Sequence, residues 1–420
     1  MCSCALLLLL ARAAHAQVLE AIIFQGNEVT QDSVLLQEMG LAKGDKLDAA
    51  LIEQSRQAVM DLGLFKSVKV VVSQGSYGQV LTVTVTEKYY LFPIPKFRRS
   101  ADGDVSYGAQ LRMDNVAGLN HKLRLTYKTA QNCCELAGRE DSLDLYYLIP
   151  RILGTHFGLN FGARYAKAPV DAELDGVALG RYEKAARGMD VGLRRWLNKD
   201  GATSGWSVTT AWFWRVDAYE FLRGEPELYD TARSVGLSGS IGYERVHDYL
   251  YSREGTEYGY NLSLGIKALG ADHSYSINSF YYRRYWLVGQ RAHQNLNFQL
   301  ETGFSGNRPV LSSAAFSIGG SDTLRGYDKK SVEGESFFNL NAEYLSPVFG
   351  SQTVRGVLFV DVGNAYKDNR MVDFSDLESG VGFGVRYRVK SLVNLQIRAD
   401  VAYSTSDGAR KVYIGSNSTF

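Results

Sequence analysis

The sequence predicts an all-β transmembrane barrel of about 16 antiparallel strands, preceded by one small α+β domain. Three observations predict it. The first is composition: of 420 residues, 42 are Gly, 26 Tyr and 19 Phe, whereas 7 are Pro and 4 Cys. The second is the lack, after the N-terminus, of any run near the roughly 18 apolar residues that a membrane helix requires, so a span must be built from strands. The third is strict alternation along segments of about 9–11 residues, in which one face is apolar and the other carries charge. A soluble sandwich also alternates, but it turns the apolar row into a core and the polar row to water. The net charge of +1 supplies no basic face for nucleic acid.

The first segment, CALLLLLARAAHA, has a short apolar core and the small-residue pattern Ala14-His15-Ala16, and reads as a secretory signal over residues 1–16. No positive charge precedes its core, a departure from such signals. Cys2 and Cys4 leave with it, so Cys133 and Cys134 remain. Neighbouring cysteines bond to each other only with strain, and no further ligands complete a metal set, so an exposed loop pair is expected rather than a redox site.

Residues 17–88 form the small domain. VLEAIIF (18–24) is an apolar strand, and Thr30 is placed to cap a helix running through Glu38 to Gly40. Asp48 opens a second helix with Leu51, Ile52, Ser55, Ala58, Val59 and Leu62 on one face, stopped by Gly63. FKSVKVVVS (65–73) and QVLTVTVTEK (79–88) are two strands, the second alternating Leu81, Val83 and Val85 with threonines. This order, with IxFxGN near its start and LGLFKSVKV after the second helix, resembles a POTRA domain. The resemblance implies binding of extended chains at a sheet edge.

Residues 89–420 form the barrel. In HQNLNFQLETGF, His293, Asn295, Asn297, Gln299 and Glu301 share one face and Leu296, Phe298, Leu300 and Phe304 the other. NLQIRADVAY repeats the pattern, with Asn394, Gln396, Arg398 and Asp400 opposed by Leu395, Ile397, Ala399 and Val401. Charge cannot face lipid cheaply, so the polar row lines a lumen. Strands are expected to begin near 90, 104, 121, 142, 157, 187, 206, 236, 258, 276, 293, 336, 356, 381, 392 and 411. With the small domain in the periplasm, the odd-numbered connections face outward, including the long polar stretches 167–186, 218–235, 305–335 and 365–380. A rather long connection is expected at 245–257.

The longest connection holds Leu324-Arg325-Gly326-Tyr327. An [VI]RG[FY]-like motif before the twelfth strand, after one POTRA domain, resembles the bacterial outer-membrane protein assembly factors of the BamA/TamA type, POTRA plus surface-antigen barrel, over the whole mature chain. Leu324 stands where that family commonly has Val or Ile. The resemblance implies that the loop folds into the barrel and that its arginine meets acidic groups on the inner wall. Alternation supplies two: Glu343, with Asn339 and Asn341, opposite the lipid row Phe338, Leu340, Ala342 and Tyr344; and Asp361, opposite Leu358, Val360 and Val362. A guanidinium can bond both. Gly326, lacking a Cβ, lets the loop pass close to the wall, and Tyr327 packs its tip.

The first strand, YYLFPIPKF, contains Pro93 and Pro95, which lack the amide proton that a ladder needs. Its pairing with the last strand, KVYIGSNSTF, is therefore expected to be the weakest seam. That last strand resembles the family's C-terminal signal, with Gly415 and a terminal Phe420. The function so implied is outer-membrane protein assembly or insertion: the POTRA domain receives an unfolded client, the seam templates its strands, and burial and hydrogen bonding supply the driving force. The partners implied are unfolded outer-membrane proteins or a secreted polypeptide, outer-membrane lipid and accessory assembly lipoproteins. No cofactor or metal is expected, and no nucleophile–base pair suggests catalysis. The alternatives are a two-partner secretion pore, which generally carries two POTRA domains and a plug helix, and a passive porin, which explains neither the POTRA domain nor the arginine.

Overall fold

A computed structural model describes residues 18–99, 105–131, 139–174, 177–198, 204–308, 315–367 and 372–416. Residues 1–16, read above as a secretory signal, and Cys133, Cys134 and Phe420 lie outside the described residues.

The N-terminal domain runs β1 (Leu19–Gln25), α1 (Asp32–Met39), α2 (Ala49–Asp61), β2 (Phe65–Gln74) and β3 (Gln79–Glu87). Strand β3 is central, parallel to β1 and antiparallel to β2. Its alternation explains this: Leu81, Val83 and Val85 join Val34, Leu35, Val59, Leu64 and Phe65 in a closed core, while the threonines take the other face. Asp48 caps α2, its Oδ1 accepting the Leu51 N–H at 2.7 Å. Thr30 does not cap α1, whose N-cap is Gln31 without a side-chain bond. The Thr30 hydroxyl instead donates to Glu87 Oε1 at 2.6 Å and accepts from Asn115 Nδ2 at 2.9 Å. A tertiary partner has replaced the local one.

Sixteen strands form the second sheet, each hydrogen-bonded to its sequence neighbour. They are β4 (Leu91–Arg99), β5 (Val105–Val116), β6 (His121–Gln131), β7 (Arg139–Ile149), β8 (Phe157–Leu174), β9 (Val177–Trp196), β10 (Gly205–Gly224), β11 (Ala232–Asp248), β12 (Arg253–Gly265), β13 (Tyr275–Leu287), β14 (Asn295–Gly306), β17 (Ser336–Val348), β18 (Ser351–Tyr366), β19 (Glu378–Arg388), β20 (Gln396–Ser404) and β21 (Arg410–Gly415). A small hairpin, β15 (Phe316–Ile318) and β16 (Val332–Gly334), lies within the connection from β14 to β17. Outward residues such as Leu111, Val191, Leu237, Leu358, Phe383 and Ile397 are exposed apolar side chains, whereas inward ones such as Gln299, Asn339, Asn341 and Arg398 are buried. This is a barrel inverted relative to a soluble protein. Among the described residues, no helix is long and apolar enough to cross a membrane.

Three connections differ from expectation. Residues 167–186 continue the β8–β9 ladder almost to its tip, and β10 reaches Gly224. Polar cross-strand pairs, Lys167–Glu183 at 2.5 Å and Lys184–Asp217 at 2.6 Å, carry the ladder past the point where apolar alternation ends. Between β11 and β12 only residues 249–252 intervene, a tight turn rather than a long connection.

The POTRA-like domain is docked on one end of the barrel. Gln31 N–H donates to Gly118 O at 3.0 Å, Asp248 N–H to Asp61 Oδ1 at 2.9 Å, and His247 Nδ1 lies 2.8 Å from Asp61 Oδ2. Leu119, Leu250 and Val393 from three barrel turns join the domain's core. Burial raises the Asp61 carboxyl above its ordinary value, against the lowering effect of its bonds to Asp248 and His247. Lys88, 4% exposed at the junction, donates to Gly63 O at 2.7 Å. Burial pushes its ammonium down to about 8.

Candidate functional site: a loop held inside the lumen, beside a seam

The connection from β14 to β17 returns into the barrel, and Leu324 and Arg325 are both 0% exposed. Leu324 packs with Ile318, Phe337 and Ala365, which seats the small β15–β16 hairpin against the wall. Its neighbour is then carried to the inward rows of β17 and β18. Arg325 Nε donates to Asp361 Oδ2 at 2.6 Å and Nη2 to Asp361 Oδ1 at 2.7 Å, a bidentate fork. Its backbone N–H reaches the same carboxylate at 3.0 Å, and Nη1 donates to Glu343 Oε1 at 2.6 Å. The guanidinium carbon stands 3.5 Å from the Phe359 ring centroid.

Two residues not read as partners from the sequence complete the cluster. Asp400 on β20 lies 3.7 Å from Arg325 Nη1, and Arg386 on β19 bonds both Asp400 and Glu343, the latter at 2.8 Å. Asn341 adds a donor to Asp361 Oδ1 at 2.8 Å. Two cations and three carboxylates thus share one buried network spanning four strands. Asp400 belonged to an inward row already recognised, but its closeness to the loop depends on barrel curvature, which period-two alternation does not encode.

Gly326 has φ 103°, and a Cβ there would come 2.7 Å from Ser404 N. The facing wall is cleared as well. At Gly380 a Cβ would meet Arg325 O, at Gly382 the Phe359 ring, and at Gly384 the Asp400 carboxylate, all well inside contact distance. Tyr327 is part-buried, its hydroxyl 2.6 Å from Glu378 Oε2. The last strand grips the same segment from the other side: Tyr413 OH donates to Tyr327 O at 2.9 Å and accepts the Gly326 N–H at 3.1 Å, and Lys411 Nζ reaches Asp328 at 2.6 Å.

The seam residues are not brought together in the same way. Strand β4 begins at Leu91, contains Pro93 and Pro95 with both rings exposed, and pairs with β5. Strand β21 pairs with β20, where Gly415 faces Arg398. Among the described residues no ladder joins β4 to β21, which are the two ends of the sheet order. Lys96 Nζ donates to Ser416 Oγ across the gap at 3.2 Å. At the domain end Tyr89, just ahead of β4, is held by the β19–β20 turn, its N–H donating to Ser391 O at 2.8 Å.

Fold and site define a class of protein: a nearly closed sixteen-strand membrane barrel whose lumen is occupied by its own loop and whose mouth carries a small α+β domain. The Omp85 superfamily domain matches residues 115–420 and a POTRA domain, described as a surface antigen variable number repeat, matches residues 18–88. The chain belongs to the Omp85 superfamily and is an outer-membrane β-barrel. Outer membrane protein assembly factor BamA of Nitratidesulfovibrio vulgaris is 41% identical over 64 residues, 15% of this chain and 8% of that protein's length. The crystal structure of BamA from Haemophilus ducreyi lacking POTRA domains 1–3 matches with TM-score 0.56 at 16% identity, covering 95% of this chain and 84% of that one. CdiB from Acinetobacter baumannii matches with TM-score 0.63 at 12% identity, covering 95% and 73%. CdiB from Escherichia coli matches with TM-score 0.64 at 14% identity, covering 95% and 76%. At these identities the structural likeness shows the fold.

Proposed function

We propose that this chain assembles or inserts outer-membrane proteins, receiving an unfolded client at its POTRA domain and templating client strands at the seam between β4 and β21. The observation that carries this reading is the sheet order, which ends on β21 and β4 with no ladder between them among the described residues. An unpaired strand edge in a bilayer is costly unless another strand adds to it, and a client strand does so. Pro93 and Pro95 cannot donate amide protons to a closing ladder. The POTRA sheet leaves β1 and β2 as its edges, available for strand addition.

In this reading the POTRA domain lies in the periplasm and the β8–β9 and β10 extensions outside the cell. Leu324, Arg325, Gly326 and Tyr327, with Glu343 and Asp361, act as a lock that keeps the loop in the lumen and braces the C-terminal strands. No cofactor takes part. Client polypeptide, lipid and accessory lipoproteins are the partners. The test is depletion in the host, followed by quantification of outer-membrane and secreted proteins. Loss of many unrelated barrels is the expected result. Loss of one secreted polypeptide with barrels intact replaces this reading with a two-partner secretion pore.

A further inference from the structure

Arg355, Arg386 and Arg398 stand directly opposite one another across β18, β19 and β20. Like charges so placed repel, and two members are relieved by carboxylates. Arg386 has Glu343 and Asp400, and Arg398 has Asp322 at 2.8 Å. Arg355 differs. It is 7% exposed, and its guanidinium donates to two neutral amides, Asn295 Oδ1 at 3.2 Å and Gln396 Oε1 at 3.4 Å. Among the described residues no carboxylate forms an ion pair with it.

Its surroundings add cations rather than removing one. A cavity of about 50 Å³ is lined by Arg355, Arg388 and Arg253 together with Asp248, Tyr285 and Glu343. Arg388 Nη2 lies 3.6 Å from Asp248 and 3.1 Å from Asn394 Oδ1. The Arg253 guanidinium is 5.9 Å from the Tyr285 ring centroid. Glu343 is committed to Arg325 and Arg386, and Glu257, behind Tyr285, to the Tyr285 hydroxyl and Arg283. Asp248, paired with Arg388 and accepting the Leu250 N–H at 2.7 Å, is therefore the remaining carboxylate set against three guanidiniums.

We propose that Arg355, Arg388 and Arg253 form a binding site for a small oxyanion of the phosphate or carboxylate class at the base of the lumen. A planar guanidinium matches such an anion with paired N–H donors, and several lining one small cavity favour it over chloride. The cavity holds an ion rather than a chain segment. It lies behind the 249–252 turn, next to the Asp248 that the POTRA domain holds through Asp61. A bound oxyanion links β12, β18 and β19 across the lumen, and the inference stands independently of the assembly reading.

The test uses the full chain in detergent micelles, titrated with orthophosphate and separately with acetate at ionic strength held constant by chloride. The expected result is a saturable rise in Tm with one or both oxyanions, and which of them acts identifies the source of the anionic group. Arg355→Gln should weaken the response about tenfold or more, since a charge-assisted bond is lost. In chloride alone Arg355→Gln should match or exceed the wild-type Tm, because repulsion in the row is relieved; a purely structural role lowers it. Arg253→Gln reads the same site from the opposite wall should Arg355→Gln fail to fold. Equal responses to oxyanion and chloride, or wild-type affinity in the folded variants, overturn the proposal.

Discussion

The wall built from β17, β18, β19 and β20 and the edge between β4 and β21 occupy neighbouring parts of one barrel but are stabilised in opposite ways. In the wall, every strand contributes a charged side chain to one buried network centred on Arg325. At the edge, one side-chain bond among the described residues, from Lys96 to Ser416, spans the gap. Strand β21 is anchored on its inner side, through Tyr413 and Lys411, to the loop that the wall holds. The difference teaches that the loop network fastens the β21 lip of the seam, whereas the β4 lip is held at its domain end by the Tyr89–Ser391 bond and farther along by Lys96.

The largest expected effect comes from erasing the difference. Lys96→Cys with Ser416→Cys, in a chain with Cys133 and Cys134 replaced by Ser, should abolish client insertion when oxidised and recover it on reduction. A fully active cross-linked protein removes the seam from the mechanism. Next, Arg325→Ala strands buried carboxylates and should cost about 3–5 kcal/mol of loop docking. Limited proteolysis of 305–335 with the barrel still folded measures it, and unchanged protection contradicts the lock.

A pH series sharpens the comparison at the domain end. The Lys88 ammonium titrates at about 8 in the folded protein against 10.5 for a free lysine. Between those values the unfolded chain keeps a proton that the folded one has lost, so stability rises with pH through this window. Below it the buried charge carries its full cost, on the order of 3 kcal/mol. Hydrogen exchange at residues 88–90 should slow from pH 8 to 10 once corrected for intrinsic rates, and Lys88→Met should flatten the trend. The smallest effect is expected for Tyr413→Phe, which removes two bonds to the loop backbone at about 0.5–1.5 kcal/mol each. It should raise exchange in β21 and leave β17–β19 unchanged.

The barrel was legible in the sequence because lipid imposes a strict apolar row on every spanning strand, and the strand starts near 121, 157, 206, 276 and 336 fall within a residue or so of those observed. Legibility ended where lipid ended. The β8–β9 extension carries Lys167, Glu183 and Lys184 in place of an apolar row, and a ladder of backbone bonds has no composition of its own. Within the site, Glu343 and Asp361 could be named from alternation on single strands. The roles of Asp400 and Arg386 could not, since they depend on how four strands curve around one loop. Docking of the POTRA domain was equally hidden: Thr30 reads as a cap, and its partner Asn115 lies 85 residues away.

The glycines of β19 bear on how such chains can be recombined. Gly380, Gly382 and Gly384 each stand where a side chain would strike Arg325, Phe359 or Asp400. Gly380 meets the loop directly, and Phe359 and Asp400 flank its arginine, so loop and wall are a matched casting although Arg325 and Gly380 lie 55 residues apart in sequence. A graft of residues 305–335 from a relative should seat only when the β19 segment travels with it, so the unit of exchange within this barrel is a loop together with its mould.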